Sequence, residues 1–217
     1  MNPHNKWAEK LDDFSLIANQ VIDYGAIAIR PDETRFTTIR ELISYATTHE
    51  VTTTSTGIAS DDHLVVWKLN EALGTKFIPV HAANTGRLKH GVIGGHIDVY
   101  FGNVGELTLP HKTNELRIIA LLSPNRFDFL PNVPTFEEVM GIQVSSLAAR
   151  GIAGPPGLAA ERKEFLTAAF VRAMQNEEFK MKMAEAGLVL QPMNAQEFRY
   201  LLEAEERDIR GVSSLLK

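Results

Sequence analysis

The apolar positions of this chain follow two rhythms that take turns. Short, nearly continuous apolar runs occur at 14–21, 24–29, 76–80, 97–101 and 116–122, and a short β-branched run at 51–54. Runs this short, rich in β-branched and aromatic residues, predict strands. Between several of them the apolar residues recur three and four apart, the spacing of a helix with one buried face. Thr38-Ile39-Arg40-Glu41 is a capping box that opens such a helix through about Thr48, with Ile39, Leu42, Ile43 and Ala46 inward. A second helix follows Ser60, carries Leu64, Val65, Trp67, Leu69 and Leu73, and closes at Gly74. A short third one, over about 85–93, stops at Gly94-Gly95.

After 122 the pattern changes. Pro124, Pro131 and Pro134 mark a connection, and Thr135-Phe136-Glu137-Glu138 caps a short helix to Met140. A mixed run over 144–153 ends at Gly154-Pro155-Pro156-Gly157. The remainder is mostly helical. One helix is expected over 159–174, with Phe165, Ala169, Phe170 and Ala173 inward, and another over 177–186, stopped by Gly187. A short strand at 188–190 precedes a last helix, capped by Asn194 and running to about Leu215. Residues 1–13 are polar and expected to be irregular, and the mixed-charge run from Glu203 to Arg210 reads as a solvated helix face.

Strands alternating with helices at crossover spacing predict a parallel-type α/β sheet over 25–123. In such sheets ligands sit beyond the carboxyl ends of the strands. Three loops qualify, at 54–60, 81–86 and 102–106, and are expected to line one pocket. The first is the richest. Ser55, Thr56 and Ser60 bring hydroxyls, Gly57 and Ala59 bring backbone, and His63 lies in the first turn of the helix that Ser60 caps. Free N–H groups at a helix start and nearby hydroxyls suit an anion. The plainer reading is an ordinary capped helix after a strand. The loop matches neither GxxxxGK[ST] nor GxGxxG. His81 follows the next strand end, and Gly102 and Asn103 follow another.

Composition narrows the class. The chain has 217 residues, 44% hydrophobic and 23% charged, ordinary for a globular protein. A net charge of −5 lacks the basic excess of a nucleic-acid binder. No apolar run reaches the roughly 18 residues of a membrane span. The sequence contains no cysteine, so it has neither disulfides nor thiolate chemistry.

The seven histidines show no HxH or HExxH spacing, so no metal and no cofactor is assigned. Ser55 with His63 or His81 and Asp98 imitates a hydrolase triad, but no GxSxG elbow is present. Arg150 suits a bidentate clamp on a carboxylate; an arginine paired with an acid is the competing reading. Asp98 is expected to fix a loop.

Several stretches, taken together, resemble one family. Residues 54–64 resemble a strand–GSxGxGSxxHL–helix segment, and Ile93-Gly94-Gly95-His96-Ile97-Asp98-Val99 resembles LLGGxVDV. Residues 116–126 resemble LRxLAVTSxxR, 130–136 resemble LPDVPTF, and 150–157 resemble RGxxAPxG. In this order they are similar to the substrate-binding receptors of tripartite tricarboxylate transporters, the Bug-type receptors, from about Asn2 to Leu202. The resemblance implies a type II periplasmic-binding-protein-like α/β fold, with two lobes, a hinge and a first lobe that is incomplete. Lobe 1 would comprise 1–24 and 124–217, and lobe 2 residues 25–123.

It further implies a periplasmic receptor, not an enzyme. Such a receptor would take a small carboxylate or dicarboxylate at Ser55, Thr56, Gly57, Ala59, Ser60, His63, His81, Gly102, Asn103 and Arg150, and hand it to membrane subunits. Members of the family carry a signal peptide and a first segment with a PGGG-type ligand loop, and this chain starts at a point inside the first lobe. Weak binding and self-association through the incomplete lobe are expected from that. Where the family has a tyrosine and a lysine after VP, this chain has Val80 and His81, and an aromatic position before RG is Ala149. A cytoplasmic sensing or interaction module, a non-binding fragment, and a hydrolase using Ser55 are the competing functions.

Overall fold

The computed structural model describes residues 10–213, without the side chains of Asp208, Gly211, Val212 and Ser213. Residues 1–9, expected to be irregular, and the expected helix end at Leu215 lie outside the described residues.

The chain divides into two compact units, one of 24–148 and one of 1–23 with 149–217. The expected lobes divide instead after residues 24 and 123. Residues 124–148 pack with 24–123, because Leu130, Val133, Phe136 and Val144 are buried in the same two cores as Leu121, Ala120 and Phe101. Leu121 and Thr135 also form a parallel bridge.

The unit of 24–148 is built from the second half of β1 (Ser15–Ile29), α1 (Ile39–Thr48), β2 (Val51–Ser55), α2 (Asp61–Leu73), β3 (Phe77–His81), α3 (Thr85–Ile93), β4 (Tyr100–Asn103), α4 (Val104–Lys112), β5 (Arg117–Leu122) and α5 (Phe136–Met140). The runs at 14–21 and 24–29 are one strand, not two; Asp23, 1% exposed, is buried within it.

The expected single parallel-type sheet over 25–123 is not what forms. β2 and β3 pair in parallel as a two-stranded sheet, while β1 pairs antiparallel with both β4 and β5 in another. Segments 51–54 and 97–101 meet through one parallel bridge, Thr53 to Val99. The crossover argument holds for β2–α2–β3, whose strands follow each other through a helix. It does not govern β1, which inserts between β4 and β5 in the opposite direction.

Helix starts follow the sequence closely. Thr38 and Thr135 each form a capping box with the glutamate three residues on, and α1 buries Ile39, Leu42, Ile43 and Ala46. The two boxes satisfy the first free N–H groups of their helices. Ser60 and Asn84 cap α2 and α3. α4 was not expected, since Gly105 and Pro110 disguise it; its Val104, Leu107 and Thr108 are buried. The loop expected at 102–106 is therefore the end of β4 and the first turn of α4.

The other unit contains the first half of β1, most of β6 (Leu147–Gly154), α6 (Ala160–Met174), α7 (Glu177–Glu185), β7 (Leu190–Asn194) and α8 (Ala195–Ser213). β7 lies antiparallel to β1, with Ala18 opposite Asn194 and Val21 opposite Leu190. β7 starts later than the expected strand at 188–190. The inward face of α6 also differs from the expected one. Phe165 is 71% exposed, whereas Phe170 is inward as expected and packs with Leu166, Val171 and Met174 on Ile17 and Ala18. The pattern allowed either face, and packing chose the one that begins one residue later. Asn194 caps α8 as expected, accepting from the backbone N–H of Gln196 and Glu197, while Glu197 accepts from the Asn194 N–H.

Candidate functional site

The parallel register of β2 and β3 sets Ser55 directly opposite His81 at the carboxyl ends of both strands. The ends of β2 and β4 are joined by Thr54, whose Oγ1 donates to the Phe101 carbonyl (2.7 Å) and accepts from the Phe101 N–H (2.8 Å). Asn103 Nδ2, at the end of β4, donates to Asp61 Oδ2 at the start of α2 (3.2 Å). Three strand ends and the first turn of α2 thus meet in one unit, and the N-termini of α3 and α4 follow β3 and β4 directly.

Inside this cluster Ser55 is the hub. Its hydroxyl lies 3.0 Å from His81 Nδ1 and 3.3 Å from Ser60 Oγ, donates to the Gly57 carbonyl at 3.1 Å and accepts from the Gly57 N–H at 3.3 Å. The rings of His63 and His81 meet edge to face, 5.1 Å apart. His63 Nδ1 accepts the Ala59 N–H (3.0 Å), so the neutral ring carries its proton on Nε2. Burial, and then the nearby His81, hold the His63 pKa below the ordinary histidine range. Ala59 has a φ of 62°, a left-handed conformation that costs a non-glycine residue about 1 kcal/mol or more. Gly57, at φ 151°, takes a conformation that side chains rarely adopt. Gly102 is required for space, since a Cβ there would lie 2.4 Å from the Tyr100 ring.

The expected donor-rich concavity is largely closed on itself. Thr56 spends its N–H (3.1 Å) and its hydroxyl (3.0 Å) on Asp62 Oδ2. The Ser60 N–H and hydroxyl both donate to the Gly57 carbonyl, and Ser60 Oγ accepts from the His63 N–H. Thr56 and Ser60 therefore do not offer those hydrogens to a ligand in this conformation. Asp62 was passed over in the sequence. An aspartate just after an N-cap signals a fold-back onto the loop, because its carboxylate can reach N–H groups ahead of the helix.

Burial first, and then the neighbouring Asp61, push Asp62 up to about 7. Tyr100 donates its hydroxyl to Glu106 Oε2 (3.0 Å), and burial and that carboxylate raise its pKa. Asp98 is not part of the cluster. It accepts from the Thr52 N–H and hydroxyl and pairs with Arg35, so it holds strand β2 where a loop was expected.

Beside His81, a cavity of about 430 Å³ is lined by Val80, His81, Asn84, Arg87, Leu88 and Ile97 among others. Arg87 was not foreseen; it lies one turn into α3, where Asn84 is fixed as the cap. Arg150 belongs to the other unit, and its guanidinium pairs with the buried Asp23 carboxylate. The competing reading of Arg150, a structural pair, is thus the one its contacts match. Among the described residues no group of three His, Cys, Asp or Glu is placed to hold a metal, and no helix is long and apolar enough to cross a membrane.

The family model for the tripartite tricarboxylate transporter family receptor, TctC, matches residues 2–212. The chain belongs to that family. A curated relative, a UPF0065 protein of Bordetella bronchiseptica, is 27% identical over 129 residues, covering 59% of this chain and 38% of the relative. The chain therefore spans well under half of that relative's length.

Among solved structures, a TctC solute-binding protein from Polaromonas superposes with a TM-score of 0.77 at 23% identity, covering 97% of this chain and 71% of the other. MatC from Rhodopseudomonas palustris, solved with bound malate, gives a TM-score of 0.73 at 20% identity, covering 86% and 64%. At these identities the structural likeness shows the α/β fold of periplasmic binding proteins. For this TctC-family chain the hydrolase reading also loses its geometry. A triad histidine faces its serine through Nε2 and its acid through Nδ1, whereas His81 turns Nδ1 to Ser55.

Proposed function

We propose that this chain is the ligand-binding part of an extracytoplasmic receptor that captures a small carboxylate and delivers it to the membrane subunits of a tripartite tricarboxylate-type transporter. The observation that carries this reading is the meeting of the β2, β3 and β4 ends around Ser55, His81, His63 and Asn103. Family membership supports it, and so does a relative of the same fold that holds malate. The ligand carboxylate is read as docking at the Ser55–His81 pair, with His63 Nε2–H, the Gly57 and Ala59 backbone, Gly102 and Asn103 around it. Ser60 and Thr56 act through the loop they hold.

A charge-assisted hydrogen bond contributes roughly 1.5–3 kcal/mol. Replacing His81 with alanine is accordingly expected to weaken binding about tenfold or more. Calorimetric titration with a panel of small mono- and dicarboxylates tests the reading. Saturable binding of one of them, weakened in His81→Ala and Ser55→Ala, supports it. No binding across the panel, or binding untouched by both substitutions, overturns it.

A further inference from the structure

Asp62 lies in the first turn of α2, is 5% exposed, and takes part in no ion pair among the described residues. Its carboxylate holds both donors of Thr56, the N–H at 3.1 Å and the hydroxyl at 3.0 Å. An anion that belongs to the chain thus already occupies one corner of the loop. The titratable groups that face it add no compensating charge. Asp61 from its own helix and Glu106 from α4 are like-charged, and Tyr100 from β4 is a neutral phenol whose hydroxyl is given to Glu106.

We propose that Asp62 is the specificity-determining residue of this site: it limits the ligand to one carboxylate, received at Ser55 and His81, and rejects a second carboxylate at Thr56. This rests on the carboxylate-receptor reading above and names the ligand class within it, a small monocarboxylate with an uncharged body. A doubly charged ligand that reaches from Ser55 to Thr56 would set its second carboxylate against Asp62, with Asp61 and Glu106 close by. At a separation of about 5 Å and an effective dielectric of 20–40, one such repulsion weakens binding about ten- to several-hundredfold. Burial also pushes Asp62 up to about 7, so the exclusion relaxes as the pH falls through neutrality. His63 gains charge in the same direction, which makes the comparison between wild type and an Asp62 variant the informative one.

The test is calorimetric titration of wild type and Asp62→Asn with butanoate and succinate, which share a four-carbon chain and differ in charge. At pH 8 wild type is expected to bind butanoate at least tenfold more tightly than succinate. Asp62→Asn is expected to bind succinate about ten- to a hundredfold more tightly than wild type does, with butanoate changing less than threefold. Should Asp62→Asn not fold, Asp62→Ser is titrated in its place at pH 8, with the same gain for succinate expected. Wild type preferring succinate at pH 8, or an unchanged ratio in the variant, overturns the inference while leaving the receptor reading standing. No binding of either ligand by either protein overturns both.

Discussion

The two units of the chain bury their apolar residues to very different depths. The 24–148 unit has two cores, and Ile27, Ile29, Phe36, Leu42, Leu69, Phe101, Leu107 and Leu121 in them are each at most 2% exposed. Among the described residues of the other unit, one small cluster buries Ile17, Ala18 and Met174, with Leu166, Phe170, Val171 and Phe179 half-covered around them, and Leu16, Val21, Ile22 and Phe198 are buried outside it. Its helices leave Phe165, Met181 and Tyr200 at 71%, 59% and 60% exposed. Every element of the candidate cluster grows from the well-buried unit. The strands that carry Ser55, His81 and Asn103 are pinned from behind by Val51, Phe77 and Phe101, which packs edge to face on Phe77. Precise placement of polar groups needs such a rigid base.

The largest effect should therefore come from that base. Phe101→Ala removes a ring that is 2% exposed and is expected to cost about 3–5 kcal/mol, lowering the denaturant midpoint of the 24–148 unit in chemical unfolding. A loss below about 1 kcal/mol would break the contrast between the units.

Next in size is the pH dependence of stability. Asp62 is raised from an ordinary value near 3.8 to about 7 in the folded state. The folded protein therefore holds this proton more tightly than the unfolded chain does. Its contribution is full below about pH 4 and is lost as the pH rises to about 7, on the order of 3–4 kcal/mol by pH 8. Asp62→Asn should flatten that part of the stability–pH curve and raise the midpoint at pH 8. A wild-type curve that rises over this window, or an unchanged slope in the variant, would show that Asp62 does not carry it.

A smaller effect is expected in the other unit. Arg150→Leu takes a half-exposed guanidinium from the buried Asp23 and should cost about 1–3 kcal/mol, read by thermal unfolding. Smallest of all, Phe165→Ser is expected to change stability by less than about 0.5 kcal/mol, since the ring it removes is already in water. A large loss there would mean that the face is covered in solution, and light scattering would show whether a second copy covers it.

The contrast also explains what was legible in the sequence. Side-chain-capped helix starts were, because a cap is a local device: Thr38 with Glu41, Thr135 with Glu138, and Ser60 each act within one turn; the start of α4, which no side chain caps, was not. The buried face of α1 was legible because a deep core tolerates one orientation only. The face of α6 was not, since a shallow core leaves Phe165 free to point outward. Strand direction was not legible either. The antiparallel insertion of β1 depends on partners about 70 to 100 residues away, such as Ala28 with Tyr100 and Gly25 with Leu122.

At the cluster, the sequence named Ser55, His63, His81 and Asn103, which do come together, and treated Thr56 as a free donor. Its partner Asp62 was missed because the hydroxyls were counted as offers to a ligand, without asking which acids of the chain would claim them.

The central claim is that the carboxylate site is built by the strand ends of the 24–148 unit. Amide hydrogen exchange, compared with and without a saturating small carboxylate, tests it most directly. Slowed exchange is expected at 55–63, at 81–84 and at 102–104. Saturation with no slowing at these three segments, or with slowing confined to the other unit, would contradict it.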